Sequence, residues 1–212
     1  MNRAIKSILC CICILVSVQL FAQTNTNKNT ALIQQVKNFY NWYKQNYTQH
    51  NAFKLYKGNG EDDAPPYTIQ WTEVEKYFTF IRTKVPALGE AFIEWHRSDF
   101  KRIAEIFKKY PTEEIAIGFD YDRIIGGQEE MEEIIDYSFP RNGKWEVSIK
   151  GNTAIVACIY EAIDYETDRI IEARSETELK KEKGIWKISK TLGMMELEAL
   201  RKEKLKDVGN TI

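Results

Sequence analysis

Two carboxylates in the middle of the chain offer the clearest candidate chemistry. Asp120 and Asp122 are two residues apart, so they could hold a cation, or act as acid and base if a neighbour raised the pKa of one. They do not form a calcium-binding loop, because the fifth ligand position is Ile124 and the twelfth is Met131. The alternative is that both carboxylates cap and solvate the turn into a helix that begins at Gln128.

An aromatic cluster on the first predicted helix is the second candidate. Tyr40 and Tyr43 carry hydroxyls at the tips of their rings, which suits the wall of a pocket for a small amphipathic ligand. Their helical spacing from Leu32 and Val36 also favours a place in the core. The candidate ligand-binding residues are therefore Tyr40, Tyr43, Asp120, Asp122 and Gln128.

The other reactive residue types predict neither a metal site nor a nucleophile. The chain has 2 histidines, which is too few for a His-rich metal site; we expect His50 in a surface loop and His96 exposed or packed at the edge of a helix stripe. Cys158 lies in an uninterrupted apolar strand, where a thiol is a small core residue. No recognised catalytic or phosphate-binding motif occurs, so we expect no catalytic residue, metal or cofactor.

The first residues predict export. Arg3 and Lys6 precede an apolar run at 8–18 that is too short to span a bilayer, and Ala22 supplies a small residue for cleavage. We therefore expect a signal peptide at 1–22, no transmembrane segment after its cleavage, and a periplasmic or extracellular protein.

Removal of the signal peptide changes the charge and the cysteine count. The 30 basic residues fall to 28 without Arg3 and Lys6, against 31 acidic residues, which gives a net charge of about −3. This balance does not favour binding to nucleic acid or to an anionic membrane. Of the 4 cysteines only Cys158 lies outside the segment, so the mature chain would form no internal disulfide.

Hydrophobic periodicity predicts an α+β fold, with N-terminal helices packed on a curved antiparallel sheet. Apolar residues at helical spacing indicate helices, and strict alternation of apolar and polar residues indicates half-buried strands. The predicted helices cover 31–45, 72–82, 87–109 and 128–137, and the predicted strands cover 144–150, 153–163, 170–182 and 185–192. Glycines, acids and a proline pair predict an exposed loop at 57–66.

The chain divides into four predicted parts. The signal peptide is followed by a disordered polar leader at 23–29 and a single α+β domain at 30–193. A charged, helical tail covers 194–212.

Two motifs ahead of the predicted hairpins resemble a known family. The first helix carries Phe-Tyr-Asn-Trp-Tyr at 39–43, and 120–129 reads Asp-Tyr-Asp-Arg-Ile-Ile-Gly-Gly-Gln-Glu. Together with the hairpins that follow, they resemble an exported bacterial family of unknown function that is similar to the nuclear-transport-factor-2-like superfamily. The resemblance implies a cone with a cavity at its open end. Arg123 and Glu129 depart from the family pattern, which has proline and aspartate there.

The expected function is non-enzymatic binding of a small ligand or of an envelope protein. One alternative is a small cone-fold enzyme that uses acid/base chemistry in the cavity, carried by Asp120 or Asp122 and a tyrosine. Another is an immunity or inhibitor protein against an exported toxin or lytic enzyme. We also expect a homodimer, because the outer faces of such sheets often pair. The superfamily includes both enzymes and silent binding modules, so the fold by itself does not decide among these.

Overall fold

Helices and strands alternate in blocks along the chain. The computed structural model describes residues 3–59, 64–119, 121–127, 130–164 and 168–195, with side chains from residue 27 onward. The helices are α1 (Arg3–His50), α2 (Trp71–Lys84), α3 (Glu90–Lys109) and α4 (Met131–Ser138). The strands are β1 (Tyr56–Asn59), β2 (Ala64–Ile69), β3 (Lys144–Lys150), β4 (Thr153–Asp164), β5 (Arg169–Glu182) and β6 (Ile185–Lys190).

Strands β3 to β6 form an antiparallel sheet in which neighbours in sequence are neighbours in space. Tight turns make this order possible: Gly151 has φ 60°, Lys183 has φ 50° and Gly184 has φ 85°, backbone angles typical of two-residue hairpin turns. Alternation then points one face of each strand inward, as on β5, where Ser175, Thr177 and Leu179 are buried.

The first helix covers the inner face of this sheet. Leu32, Val36, Phe39, Tyr40 and Tyr43 recur at helical spacing and are all buried. The Tyr40 hydroxyl lies 3.2 Å from Thr177 Oγ1 on β5 and accepts a 3.0 Å bond from the backbone N–H of Leu192. These contacts join residues more than a hundred positions apart in sequence, and they hold α1 against the sheet.

Helices α2 and α3 complete the core. Val74, Tyr77, Phe78 and Ile81 are the buried residues of α2, as their spacing predicts. The edge strand β6 contacts these helices: the Gly89 N–H, just ahead of α3, donates to the Ile188 carbonyl at 2.9 Å. The predicted α+β class, with N-terminal helices on an open antiparallel sheet, is confirmed, and the arrangement is consistent with a cone.

Two details differ from the sequence prediction, and a third, the predicted tail, is not tested. Residues 23–29, predicted to be disordered, lie within α1, since no glycine or proline between Arg3 and His50 interrupts the helix. The predicted loop at 57–66 contains the ends of a β1–β2 hairpin, in which β2 includes the proline pair; a two-stranded sheet leaves an outer edge where proline is tolerated. The predicted tail falls largely on 196–212, outside the described residues.

The buried stripe of α3 also differs. Helical spacing over 87–109 predicts a buried stripe of Leu88, Phe92, Trp95, Ile103, Ile106 and Tyr110. Of these, Leu88, Phe92 and Ile103 are buried, Trp95 and Ile106 are half-buried, and Tyr110 is exposed. The other buried residues of α3 are Ile93, His96, Asp99, Phe100 and Phe107. The sequence misses part of the buried face because His96 and Asp99 are polar residues on an interior face. Within the described part of the chain, no helix has both the length and the apolar character to cross a membrane.

Candidate functional site

A cavity of about 980 Å³ lies where the end of α1, strand β1, the 119–127 loop and α4 meet. Its aromatic wall consists of Tyr47, Phe53, Tyr56, Tyr77, Phe119 and Tyr121. Its polar lining consists of His50, Asn51, Lys54, Asp122, Arg123, Glu130 and Glu133. This volume is at the upper end of the 300–1,000 Å³ typical of pockets for small ligands.

The Asp122 carboxylate organises the loop that forms one wall. Its Oδ1 accepts the backbone N–H groups of Ile124 and Ile125 at 2.8 and 3.1 Å. Its Oδ2 accepts the Tyr43 hydroxyl at 2.7 Å and the Asn51 amide at 3.1 Å. A carboxylate offers about four acceptor positions, so these donors use its full capacity. Asp122 is therefore an anchor that ties the loop to α1.

The backbone of this loop is closed by two further bonds. The Asp122 N–H donates to the Gly127 carbonyl at 2.9 Å, and the Gly126 N–H donates to the Asp122 carbonyl at 2.8 Å. Gly126 has φ 81°, a left-handed conformation that favours glycine. The Gly193 N–H, just beyond the sheet, donates to the Ile124 carbonyl at 3.0 Å. These bonds tie the backbone of 122–127 to itself and to the segment that follows β6.

Arg123 anchors the same loop from the other side. Its guanidinium donates to the Gly118 carbonyl at 2.6 Å and to Asp99 Oδ2 at 2.5 Å, and it stacks on the rings of Phe100 and Phe119. Burial raises the pKa of the Asp99 carboxyl, but attraction to Arg123 and Arg102 outweighs this and lowers that pKa overall. The result is a buried ion pair beneath the cavity.

The hydroxyls of Tyr43 and Tyr77 and the ring of His50 lie near Asp122. Burial, followed by the negative charge of Asp122, raises the pKa of Tyr43 well above its usual value, so its hydroxyl keeps its proton and donates. His50 Nε2 lies 3.0 Å from the Tyr77 hydroxyl. Burial lowers the pKa of His50 to about 4 although Asp122 opposes this shift, so the ring is neutral at pH 7.

Two nitrogens in the cavity wall lack partners. His50 is 3% exposed and Arg123 is 9% exposed, and among the described residues nothing pairs with His50 Nδ1 or Arg123 Nε. Buried polar atoms are almost always hydrogen-bonded, so unpaired ones need an explanation. Both atoms are themselves inaccessible to solvent, so they point into the protein interior and not into the open cavity.

A third unpaired group lies deeper. His96 is 0% exposed, packs against Phe92 at 4.3 Å between ring centroids, and has neither ring nitrogen paired within the described ranges. Burial, then repulsion from Arg123 and His50, lowers its pKa well below the usual value. It is a neutral core ring and does not line the cavity.

The structure separates the sequence-predicted site residues. Asp122 lines the cavity, and Tyr43 supports it from behind with a side chain that is 0% exposed. Tyr40 is buried against the sheet, where burial raises its pKa to about 12, and it is not among the cavity residues. Asp120 and Gln128 lie outside the described residues. Ligand binding by these five residues stays a prediction.

Two cavity residues, His50 and Arg123, and the core residue His96 were misplaced or missed from the sequence. His50, expected in a surface loop, is the buried last residue of α1, and His96, expected to be exposed or edge-packed, is in the core. Arg123 was noted only as a departure from the family pattern. One signal could have found it: an acid, Asp99, on the same helix face as Phe92 and Ile103 requires a basic partner nearby.

Metal binding finds no support in the part of the chain that the structure describes, where no three His, Cys, Asp or Glu side chains are grouped to hold an ion. The Cys158 thiol is buried in β4, and burial raises its pKa. No protein-family model, curated protein or solved structure matches this chain.

Proposed function

We propose that this protein binds a small ligand in the cavity between α1, β1, the 119–127 loop and α4, without transforming it. The observation that carries the proposal is the cavity of about 980 Å³ itself, whose wall combines aromatic rings with a few polar side chains, among them Asp122 and Lys54. A pocket with aromatic walls and a few fixed polar groups is the usual form of a small-molecule site.

Rigidity of the wall supports the same proposal. Asp122 and Arg123 hold the loop on both sides through hydrogen bonds to α1, α3 and the loop backbone. A site held in its bound conformation loses little entropy when a ligand enters, and this improves affinity. Asp122, which belongs to the motif that resembles the family, and Arg123, which departs from it, thus both serve the cavity wall.

The enzyme alternative draws less support from these contacts. All four acceptor positions of Asp122 are occupied by hydrogen bonds within the protein, so the carboxylate has no position from which to take a proton from a substrate. Tyr43 is buried behind it, and His50, with a pKa of about 4, is a weak base. Binding without catalysis is the function that this geometry favours.

Export and ancestry belong to the same proposal. A basic pair followed by an apolar run at 8–18 supports secretion to the periplasm or beyond the cell. The order of helices and antiparallel strands supports membership of the nuclear-transport-factor-2-like superfamily. A ligand-binding module of this fold would act outside the cytoplasm.

A thermal-shift screen with a cavity-filling variant tests the proposal. The purified chain is screened against neutral, anionic and cationic small molecules. A ligand at a hundred times its Kd adds about 2.7 kcal/mol of stability, which raises Tm by roughly 5–11 °C.

The matched variants are Lys54→Trp, which places an indole at an exposed residue of the cavity wall, and Lys57→Trp, at an exposed residue of β1 outside that wall. We expect Lys54→Trp to abolish the shift and Lys57→Trp to leave it. No stabilising ligand in any of the three classes, or equal binding by both variants, would refute the proposal and direct the search to a protein partner.

A further inference from the structure

We infer that this protein pairs with a second copy of itself through an edge, and not the outer face, of its main sheet. The edge belongs to β5, and the part concerned is 169–177, which we call the open segment. Two open segments pair antiparallel about a twofold axis at Ala173 and join two four-stranded sheets into one. No residue of the open segment is among the described residues of the cavity wall, so the inference does not depend on the proposed function.

The open segment has a strand on one side only. Strand β4 pairs with β5 over 169–180, without a shift in register. On the opposite side β6 pairs with β5 only over 178–182, and no other strand in the described part of the chain joins this sheet. An unpaired strand edge presents a row of N–H and C=O groups, which is a template for another strand.

The outer edge of β6, by contrast, is covered. The Ile188 N–H donates to the Ala87 carbonyl at 2.8 Å, and the Gly89 N–H donates to the Ile188 carbonyl at 2.9 Å. The open segment contains no proline that would protect it from pairing. It also carries Ile170 and Ile171, which are 73% and 44% exposed and would gain from burial against a partner.

Backbone direction decides which residues of the open segment can bond to the second copy. The Lys181 N–H donates to the Asn152 carbonyl at 2.8 Å, on the side of β4. Successive residues of a strand in an antiparallel pair direct their N–H and C=O groups to opposite sides, and the β4–β5 register is regular. The even-numbered residues therefore direct these groups away from β4. They are Ile170, Glu172, Arg174 and Glu176.

Length and charge select the same register. Ala173 is the midpoint of 169–177, so an axis there pairs the whole open segment and stops where β6 of the partner begins to pair. The same axis places Glu172 opposite the partner's Arg174, and by symmetry this occurs twice. An axis at Glu172 or at Arg174 would place like charges directly opposite each other, which is destabilising. The charge pattern is thus complementary to itself in the register that the free length allows.

The side chains have the capacity for these cross-strand pairs. Glu172 and Arg174 are both exposed in the single chain. Arg174 contacts Glu176 through Nε and Glu146 through Nη1 of its guanidinium. Since a guanidinium has five N–H donors, donors remain for the partner's Glu172. Backbone hydrogen bonds supply affinity in such strand addition, and the charge pairs set the register.

A cysteine at the axis tests the register. Residue 173 and its symmetry mate form a non-hydrogen-bonded pair with Cα atoms about 4.5 Å apart, a separation that a disulfide spans. We expect Ala173→Cys to give a covalent dimer on a non-reducing gel after mild oxidation, above the level of the natural chain. Ile171→Cys is the matched control and should stay at that level. Crosslinking of Ile171→Cys in place of Ala173→Cys would overturn the register.

Charge reversal tests the partner. Sedimentation velocity of the natural chain should show a dimer. Glu172→Arg should raise its Kd by about tenfold, because two symmetric pairs change from attraction to repulsion. Adding Arg174→Glu to this variant should return the Kd to within about threefold of the natural value. Glu132→Arg, at an exposed acid of α4, should leave it unchanged.

Two results in sedimentation would overturn the inference. One is a natural chain that stays monomeric up to about 1 mM, the weak end of measurable affinity. The other is a dimer whose Kd is the same in the natural chain and in Glu172→Arg, because that dimer would use another surface.

Discussion

Replacement of Asp122 by alanine should destabilise the protein because the carboxylate is the shared partner of four donors. The change leaves the Tyr43 hydroxyl unpaired on a side chain that is 0% exposed, at a cost of about 1–3 kcal/mol. The N–H groups of Ile124 and Ile125 lose their acceptor in a partly buried turn, at about 0.5–1 kcal/mol each. The total is about 3 kcal/mol, or roughly 6–12 °C in Tm.

Urea unfolding followed by circular dichroism measures this loss, and a double-mutant cycle with Tyr43→Phe isolates the central bond. Tyr43→Phe should cost on the order of 1.5 kcal/mol in the natural chain, but in the Asp122→Ala background it should recover stability, because it removes the buried hydroxyl that has lost its acceptor. Asp136→Ala is the control, since that carboxylate is 74% exposed and its ion pair with Lys44 contributes less than about 1 kcal/mol. A loss below about 1 kcal/mol for Asp122→Ala, or the same cost of Tyr43→Phe in both backgrounds, would refute the anchoring role.

Three further predictions concern the surroundings of the site. Asp99→Ala should cost about 3–5 kcal/mol in urea unfolding because it leaves the buried Arg123 charge uncompensated, and the added change Arg123→Met should recover part of the loss. Because the folded-state pKa of His50 is about 4, below its unfolded value of 6.5, its stabilising contribution is present above pH 6.5 and is lost as pH falls towards 4. This removes about 2 kcal/mol between pH 7 and 5, and His96, whose pKa is lowered well below its usual value, adds to the loss. Gly193→Ala should lower stability by about 1–3 kcal/mol, since the added Cβ would lie 2.6 Å from a backbone nitrogen of the loop.

Each of these has a result that would contradict it. Equal losses for Asp99→Ala alone and with Arg123→Met would show that the ion pair is not the cause. A His96→Phe variant that loses as much stability between pH 7 and 5 as the natural chain would exclude that ring from the acid response. Unchanged melting of Gly193→Ala would mean that the 122–127 loop moves aside without cost.

The main antiparallel sheet and the helix that covers it were predictable because their signals are local. Alternation in β3 and β5, and glycines at the turns, depend on neighbouring residues alone, and the strands form where these patterns predict them. The buried face of α2 was predictable for the same reason. The β1–β2 hairpin was not, because its strands are short and β2 carries two prolines, which usually interrupt strands.

The site depended on pairings that sequence spacing does not show. Asp122 was predictable as a polar loop residue, but its four donors come from α1, the segment after α1 and the loop itself, up to 79 residues away. His50 and Arg123 are polar residues that a sequence assigns to the surface, and they are buried because partners from α2 and α3 reach them.

The sequence by itself determined the α+β class, the order of the strands and the turns between them, since propensity and periodicity act over a few residues. The tertiary structure alone decided which polar residues became buried and where the cavity lies. The free energy of burying His50, Asp99 or Arg123 depends on hydrogen bonds and charges contributed by distant elements. No local pattern records those partners, so the site emerges only when α1, α3 and the 119–127 loop pack together.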